Sequence, residues 1–167
     1  TLVLMNSLTN CFSQSSSFVP YKDTINHFAI NVPVGWRYGV NKNYPDLILV
    51  AYRISTDTSD KAGENFNLNI IKKENSSLDK EYKKIIGALS STNDFTLMEN
   101  DSIYIHGLPY KWFIEAHKNE INGAPMINYV FITYKEGKTY ILTFIAFTKY
   151  FKKYRSLFYD IAGTLIL

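Results

Sequence analysis

The sequence predicts an α+β protein, a three-layer α/β/α sandwich built around a central antiparallel sheet. Three observations predict it. Apolar runs at Tyr110 to Ala116, Ile127 to Tyr134 and Tyr140 to Phe147 follow one another, separated by Asn122-Gly123 and Glu136-Gly137, the turn pairs that hairpins use. Tyr150, Tyr154, Leu157, Phe158 and Ile161 then recur at helical spacing, so a C-terminal helix closes the meander. In Met126 to Tyr134 both strand phases are apolar, with Met126, Val130 and Ile132 on one and Ile127, Tyr129 and Phe131 on the other. A sheet wet on one face would alternate more cleanly. Both faces of the central strands are therefore covered, and two amphipathic helices are the covers.

Taken in order, residues 1 to 18 read as a signal-like or linker segment, followed by one domain over residues 19 to 167. Thr1 to Met5 is apolar and the chain then turns small and polar, like the tail of a secretory signal. Leu8-Thr9-Asn10-Cys11 is similar to a lipobox, in which Cys11 would carry a lipid, although Asn10 stands where that motif expects a small residue. Cleavage after Ser13 is the second processing reading, and an ordinary first strand or helix is the third. Export is the expectation taken forward. No run approaches the roughly 18 apolar residues of a spanning helix.

Phe28, Ile30 and Val32 alternate into a short strand that proline ends, and Pro33-Val34-Gly35-Trp36 turns the chain. Leu47 to Tyr52 is a near-continuous apolar run, expected to be a strand buried on both faces. Ser55 to Glu64 is polar and reads as an exposed loop. Alternation resumes at Phe66, Leu68 and Ile70. Ser77 is placed to cap a helix, with Asp79 and Glu81 in its first turn, where the dipole favours acids. Leu78, Tyr82, Ile85, Ile86 and Leu89 form that helix's sheet-facing stripe. A strand through Phe95, Leu97 and Met98, continued by Ile103 and Ile105, leads into the meander.

Composition narrows the function classes. Net charge is +3 with both signs mixed along the chain, which gives nucleic-acid binding no support. One cysteine excludes an internal disulfide and a multi-cysteine zinc site. The aromatic share of 16%, with 13 Tyr and 11 Phe, favours strands and large buried areas.

The order of elements resembles the Mog1/PsbP-like family of small α/β/α domains. The residues that carry the resemblance are Phe28 to Trp36, ending Pro33-Val34-Gly35-Trp36, the helix Ser77 to Leu89, His106-Gly107-Leu108-Pro109-Tyr110, and Lys138 to Phe144 running on to Tyr154-Arg155-Ser156-Leu157-Phe158 and Ile161. It covers roughly residues 25 to 165 and is nearest to exported bacterial members. Its motifs are structural rather than chemical. The resemblance implies a binding or assembly role, since PsbP assists photosystem II and Mog1 binds a small GTPase.

Candidate chemistry is sparse. His27, His106 and His117 fall at no metal-ligand spacing. Cys11 lies in the signal-like stretch with no histidine base beside it. There is no Gly-x-Ser-x-Gly elbow and no phosphate-cradling glycine motif. Asp57, Asp60 and Glu64 share a loop without the spacing of a calcium site. Trp36 and Trp112, with Tyr110, could build an aromatic ligand platform, but packing beneath a helix explains Trp112 more simply. Lys149, Lys152, Lys153 and Arg155 cluster at the start of the last helix with no acid before Asp160, where cations oppose the dipole. They are the partner-binding residues the sequence nominates, facing an acidic protein or an anionic lipid surface.

The expected function is a non-catalytic binding or assembly domain of the cell envelope, with no catalytic residue, cofactor or metal assigned. The rival readings are a small hydrolase-like envelope enzyme recruiting His106 and a carboxylate, and a small-ligand module with an aromatic pocket.

Overall fold

The computed structural model describes residues 17–40, 44–56, 58, 60, 63–91 and 94–167. The signal-like stretch, with Cys11, lies outside the described residues, as does Asp57.

Among the described residues nine strands and two helices follow in the order β1 (Phe18–Asp23), β2 (Phe28–Pro33), β3 (Trp36–Gly39), β4 (Leu47–Arg53), β5 (Asn65–Lys72), α1 (Leu78–Ser90), β6 (Thr96–Ile105), β7 (Leu108–Lys118), β8 (Pro125–Lys135), β9 (Lys138–Phe147) and α2 (Thr148–Gly163). Seven strands form an antiparallel sheet in the order β3-β4-β5-β9-β8-β7-β6, and β1 with β2 makes a separate two-stranded sheet. The hairpin turns carry the backbone their residues predict. Glu136 and Gly137 both have positive φ (51° and 73°), as a tight two-residue turn between right-twisted strands requires. His106 and Gly107 repeat that geometry between β6 and β7, at 49° and 80°.

Both faces of the central strands are covered, as the doubled apolar phase of β8 predicts. On one face Phe113, Val130 and Ile132 are buried under Leu78, Tyr82, Ile85, Ile86 and Leu89 of α1. Ser77 caps that helix by accepting the Lys80 N–H, while Glu81 is buried and accepts from Ser76 Oγ at 2.5 Å. The other face holds the larger core, where Phe66, Phe131 and Phe144 meet Phe151, Phe158, Ile161 and Ala162 of α2. The β1–β2 hairpin shares this layer. Ala29 and Ile166 exchange backbone hydrogen bonds at 2.9 Å, and the Asn31 N–H donates to Thr164 Oγ1 at 3.0 Å. Phe18, assigned to the linker on sequence, already pairs with Pro33 and packs on this core.

Three local expectations change. The stripe of α2 is turned by about one position: Phe151 is buried while Tyr150 and Tyr154 are half-buried, because Phe151 stands only about 20° around the helix from Phe158 and the tyrosines about 80° and 40°. β4 is buried on one face only. Leu49 and Ala51 point to the α2 core, whereas Tyr52 is 45% exposed, because α1 lies over β7 and β8 and does not reach β4. The loop expected to be solvated is anchored. Arg53 bonds Asp60 through Nη1 and Nη2 at 2.5 and 2.7 Å and Glu64 through Nε at 2.7 Å, and Glu64 is buried. The guanidinium holds the Asp60 carboxyl well below the usual carboxylate range.

Candidate functional site

The basic cluster of α2 divides into two parts. At roughly 100° per residue, Lys149, Lys152 and Lys153 stand about 180°, 120° and 140° around the helix from Phe158, while Arg155 stands only about 60° away. The three lysines are exposed accordingly, and Arg155 lies on the flank beside the sheet. Arg155 donates to both oxygens of Glu99 on β6, at 2.8 and 2.6 Å. Arg155, nominated with the three lysines to face a partner, is thus engaged within the fold, because helical geometry aims it at the sheet edge. Lys149 and Lys153 hold their ammonium groups over the rings of Tyr150 and Tyr154, at 4.5 and 5.4 Å. The helix start has no acid in its first turn and no side-chain cap.

The tryptophans do not form one platform. β3 and β7 are five strand steps apart in the sheet, about 24 Å at about 4.8 Å per step. Trp36 packs near Phe66, and Trp112 meets Tyr129 edge-on at 5.4 Å. Each serves the core locally.

The histidines also stay apart. His27 and His106 occupy left-handed turn positions, with φ 59° and 49°. His106 Nε2–H donates to the Gly163 carbonyl at 2.9 Å, fastening the β6–β7 turn to the end of α2. His106 therefore meets a backbone carbonyl where the enzyme reading needed a carboxylate. No group of three His, Cys, Asp or Glu side chains among the described residues could hold a metal ion.

His117 is different. It and Glu115 stand two residues apart on β7, so they share a face of the strand. Nδ1–H donates to Glu115 Oε2 at 3.1 Å, and Asn128 Nδ2, from the directly paired position on β8, donates to Glu115 Oε1 at 2.5 Å. Glu115 is only 2% exposed, and burial pushes its carboxyl above the usual glutamate range. This trio lines a cavity of about 950 Å³ between the C-terminal end of α1 and the β7–β8 loop. Ser91, also in the lining, is no ready nucleophile, because its Oγ–H donates to the Ala88 carbonyl at 2.6 Å. Sequence reasoning missed the trio. The alternate spacing of Glu115 and His117 is legible in the chain, but Asn128 joins only through strand register.

No family model matches the sequence, and no curated protein matches it. Solved structures do. The solution structure of cyanobacterial PsbP (CyanoP) from Synechocystis is similar with a TM-score of 0.65 and 16% identity, over 97% of this chain and 99% of that one. The Saccharomyces cerevisiae Ran-binding protein Mog1p gives 0.62 and 11%, over 91% and 96%. LpqN, involved in cell envelope biogenesis of Mycobacterium tuberculosis, gives 0.56 and 13%, over 90% and 83%. The chain has the Mog1/PsbP-like fold. At these identities the likeness is one of fold.

Proposed function

We propose that this chain is a non-catalytic binding or assembly domain of the cell envelope, and that an acidic protein partner docks on the lysine face of α2. One observation carries the reading. Lys149, Lys152 and Lys153 are exposed on the side of α2 turned from the core, and none makes an ion pair among the described residues. They sit at the positive end of the helix dipole, so they cost the fold a little, and an acidic partner would offset that cost. The similar structures support a binding role, since Mog1p is named as a Ran-binding protein and LpqN as involved in cell envelope biogenesis. The signal-like N-terminal stretch supports the envelope setting, with lipidation of Cys11 as its stronger form. Among the described residues no helix is long and apolar enough to cross a membrane.

The test reverses the three lysines together, Lys149→Glu, Lys152→Glu and Lys153→Glu. Capture of the partner from an envelope extract should be lost in the reversed protein and should weaken with salt in the wild type, as exposed charges are screened. Stability should hold or rise slightly, because acids suit a helix start. Equal capture by the reversed protein would overturn the assignment. Sedimentation with anionic but not neutral vesicles, without protein capture, would move the surface to lipid headgroups.

A further inference from the structure

We propose that the cavity between the end of α1 and the β7–β8 loop binds a small organic cation, a primary alkylammonium. It lies on the sheet face opposite α2 and is independent of the lysine surface.

Among the described residues its floor is rich in acceptors. Glu115 is nearly fully buried, and its two oxygens receive one hydrogen bond each, from Asn128 and His117. A carboxylate has room for about four. Asn128 Oδ1, on the amide whose Nδ2 meets Glu115, is buried and accepts from no described residue. A buried, unpaired amide oxygen is costly, so an added donor here is worth more than one at the surface. In the tautomer that places Nδ1–H on Glu115, His117 presents Nε2 as a further acceptor.

The charge around the cavity has the same sign. Asp94, Glu115 and Glu120 line it against one lysine, Lys118, which is already paired with Asp94 at 3.2 Å. α1 ends at this cavity with no basic residue in its last turn, so the negative end of its dipole faces no cation of its own, although Ser90 and Ser91 donate to its last carbonyls. A cation is drawn in by the helix end, the rim acids and the floor carboxylate together. Leu89 and Phe95 supply apolar wall for an alkyl body. The ammonium supplies three donors, and Glu115, Asn128 and His117, all in the lining, carry acceptors with lone pairs to spare. A divalent metal fits less well, because the described residues bring no three His or carboxylate ligands together.

The experiment titrates the protein with n-butylammonium, n-butanol, butyrate and zinc, reading backbone amide NMR shifts. n-Butylammonium should saturate at one site, with shifts centred on Leu89, Glu115 and Asn128, while butanol and butyrate should leave those amides unmoved. Glu115→Gln should weaken butylammonium binding by about tenfold or more, since it removes the buried charge. Two variants of exposed side chains guard against a folding defect. Glu120→Gln should weaken binding about two- to fivefold, and Lys118→Ala should tighten it by a similar factor. No saturable shift with butylammonium would overturn the proposal. So would unchanged affinity in folded Glu115→Gln, or zinc binding where butylammonium does not.

Discussion

Arg155 grips Glu99 through two parallel hydrogen bonds, Nη1 to Oε1 at 2.8 Å and Nη2 to Oε2 at 2.6 Å, and so ties α2 to edge strand β6. The geometry is bidentate, the strong form of this pair. Both side chains are nevertheless more than two-fifths exposed, at 43% and 44%, so water screens the attraction. Glu99→Gln is therefore expected to cost less than about 1 kcal/mol, and less again at high salt. Urea denaturation at two ionic strengths measures this. A loss above about 2 kcal/mol would mean that the pair holds the helix in place.

Phe158→Ala should cost about 3 to 5 kcal/mol. Phe158 is fully buried, stacks on Phe144 of β9 at 5.0 Å and lies beside Phe151 of α2 at 6.4 Å, so its removal leaves a cavity between sheet and helix. Chemical denaturation decides it, with Lys152→Ala on the exposed side expected within about 0.5 kcal/mol of wild type.

Tyr110→Phe should stabilise the fold by up to about 1 kcal/mol. Tyr110 is 1% exposed and its hydroxyl has no hydrogen-bond partner among the described residues, so deleting the oxygen removes a desolvation penalty and leaves the ring in place. Thermal unfolding of the variant checks the sign, and a fall in Tm would mean the hydroxyl is satisfied in solution.

The pH dependence of stability separates two carboxylates. Arg53 depresses the folded pKa of Asp60, so its contribution is present above the unfolded value of about 3.9 and is lost as pH falls towards the folded one. Burial raises Glu115, so the folded state holds that proton more tightly. Its contribution is present below the unfolded value of about 4.3 and is lost as pH rises through the raised folded value. Asp60→Asn should flatten the acid fall in stability, and Glu115→Gln should remove the loss on the rising side. Urea midpoints between pH 3 and pH 7 read both, and slopes of the same sign would contradict the assignments.

Gly63→Ala should destabilise by about 1 to 3 kcal/mol. A Cβ there would stand 2.5 Å from the Phe147 ring, closer than real contacts allow. Phe147 is half-buried where β9 passes into α2, so its ring must shift to admit the methyl group. Denaturation of the alanine variant gives the magnitude, and an unchanged midpoint would show that the ring moves at little cost.

What the sequence determined by itself is the central meander, the two helices and the faces that β8 and α1 bury, whereas β1, β3 and the one-sided burial of β4 came only with the structure. The doubled apolar phase of β8, the Ser77 cap and stripe of α1, and the Glu136-Gly137 turn are local patterns, and local chain geometry converts them directly into structure. The three-layer architecture and the exposure of Lys149, Lys152 and Lys153 follow from the same periodicities. Tertiary structure decided which residues become neighbours. β9 lies between β5 and β8, so Trp36 and Trp112 end far apart, while Arg155 meets Glu99 from 56 residues away. Strand register set Asn128 opposite Glu115, and the packing of α1 against β7 and β8 left a cavity over that pair. The physical reason is the period of two. Alternation along a strand reports which face a side chain takes, but it carries no record of the strand that will lie alongside. That choice rests on long-range closure and packing of the whole sheet, so the acceptor-lined cavity came into view only with the fold.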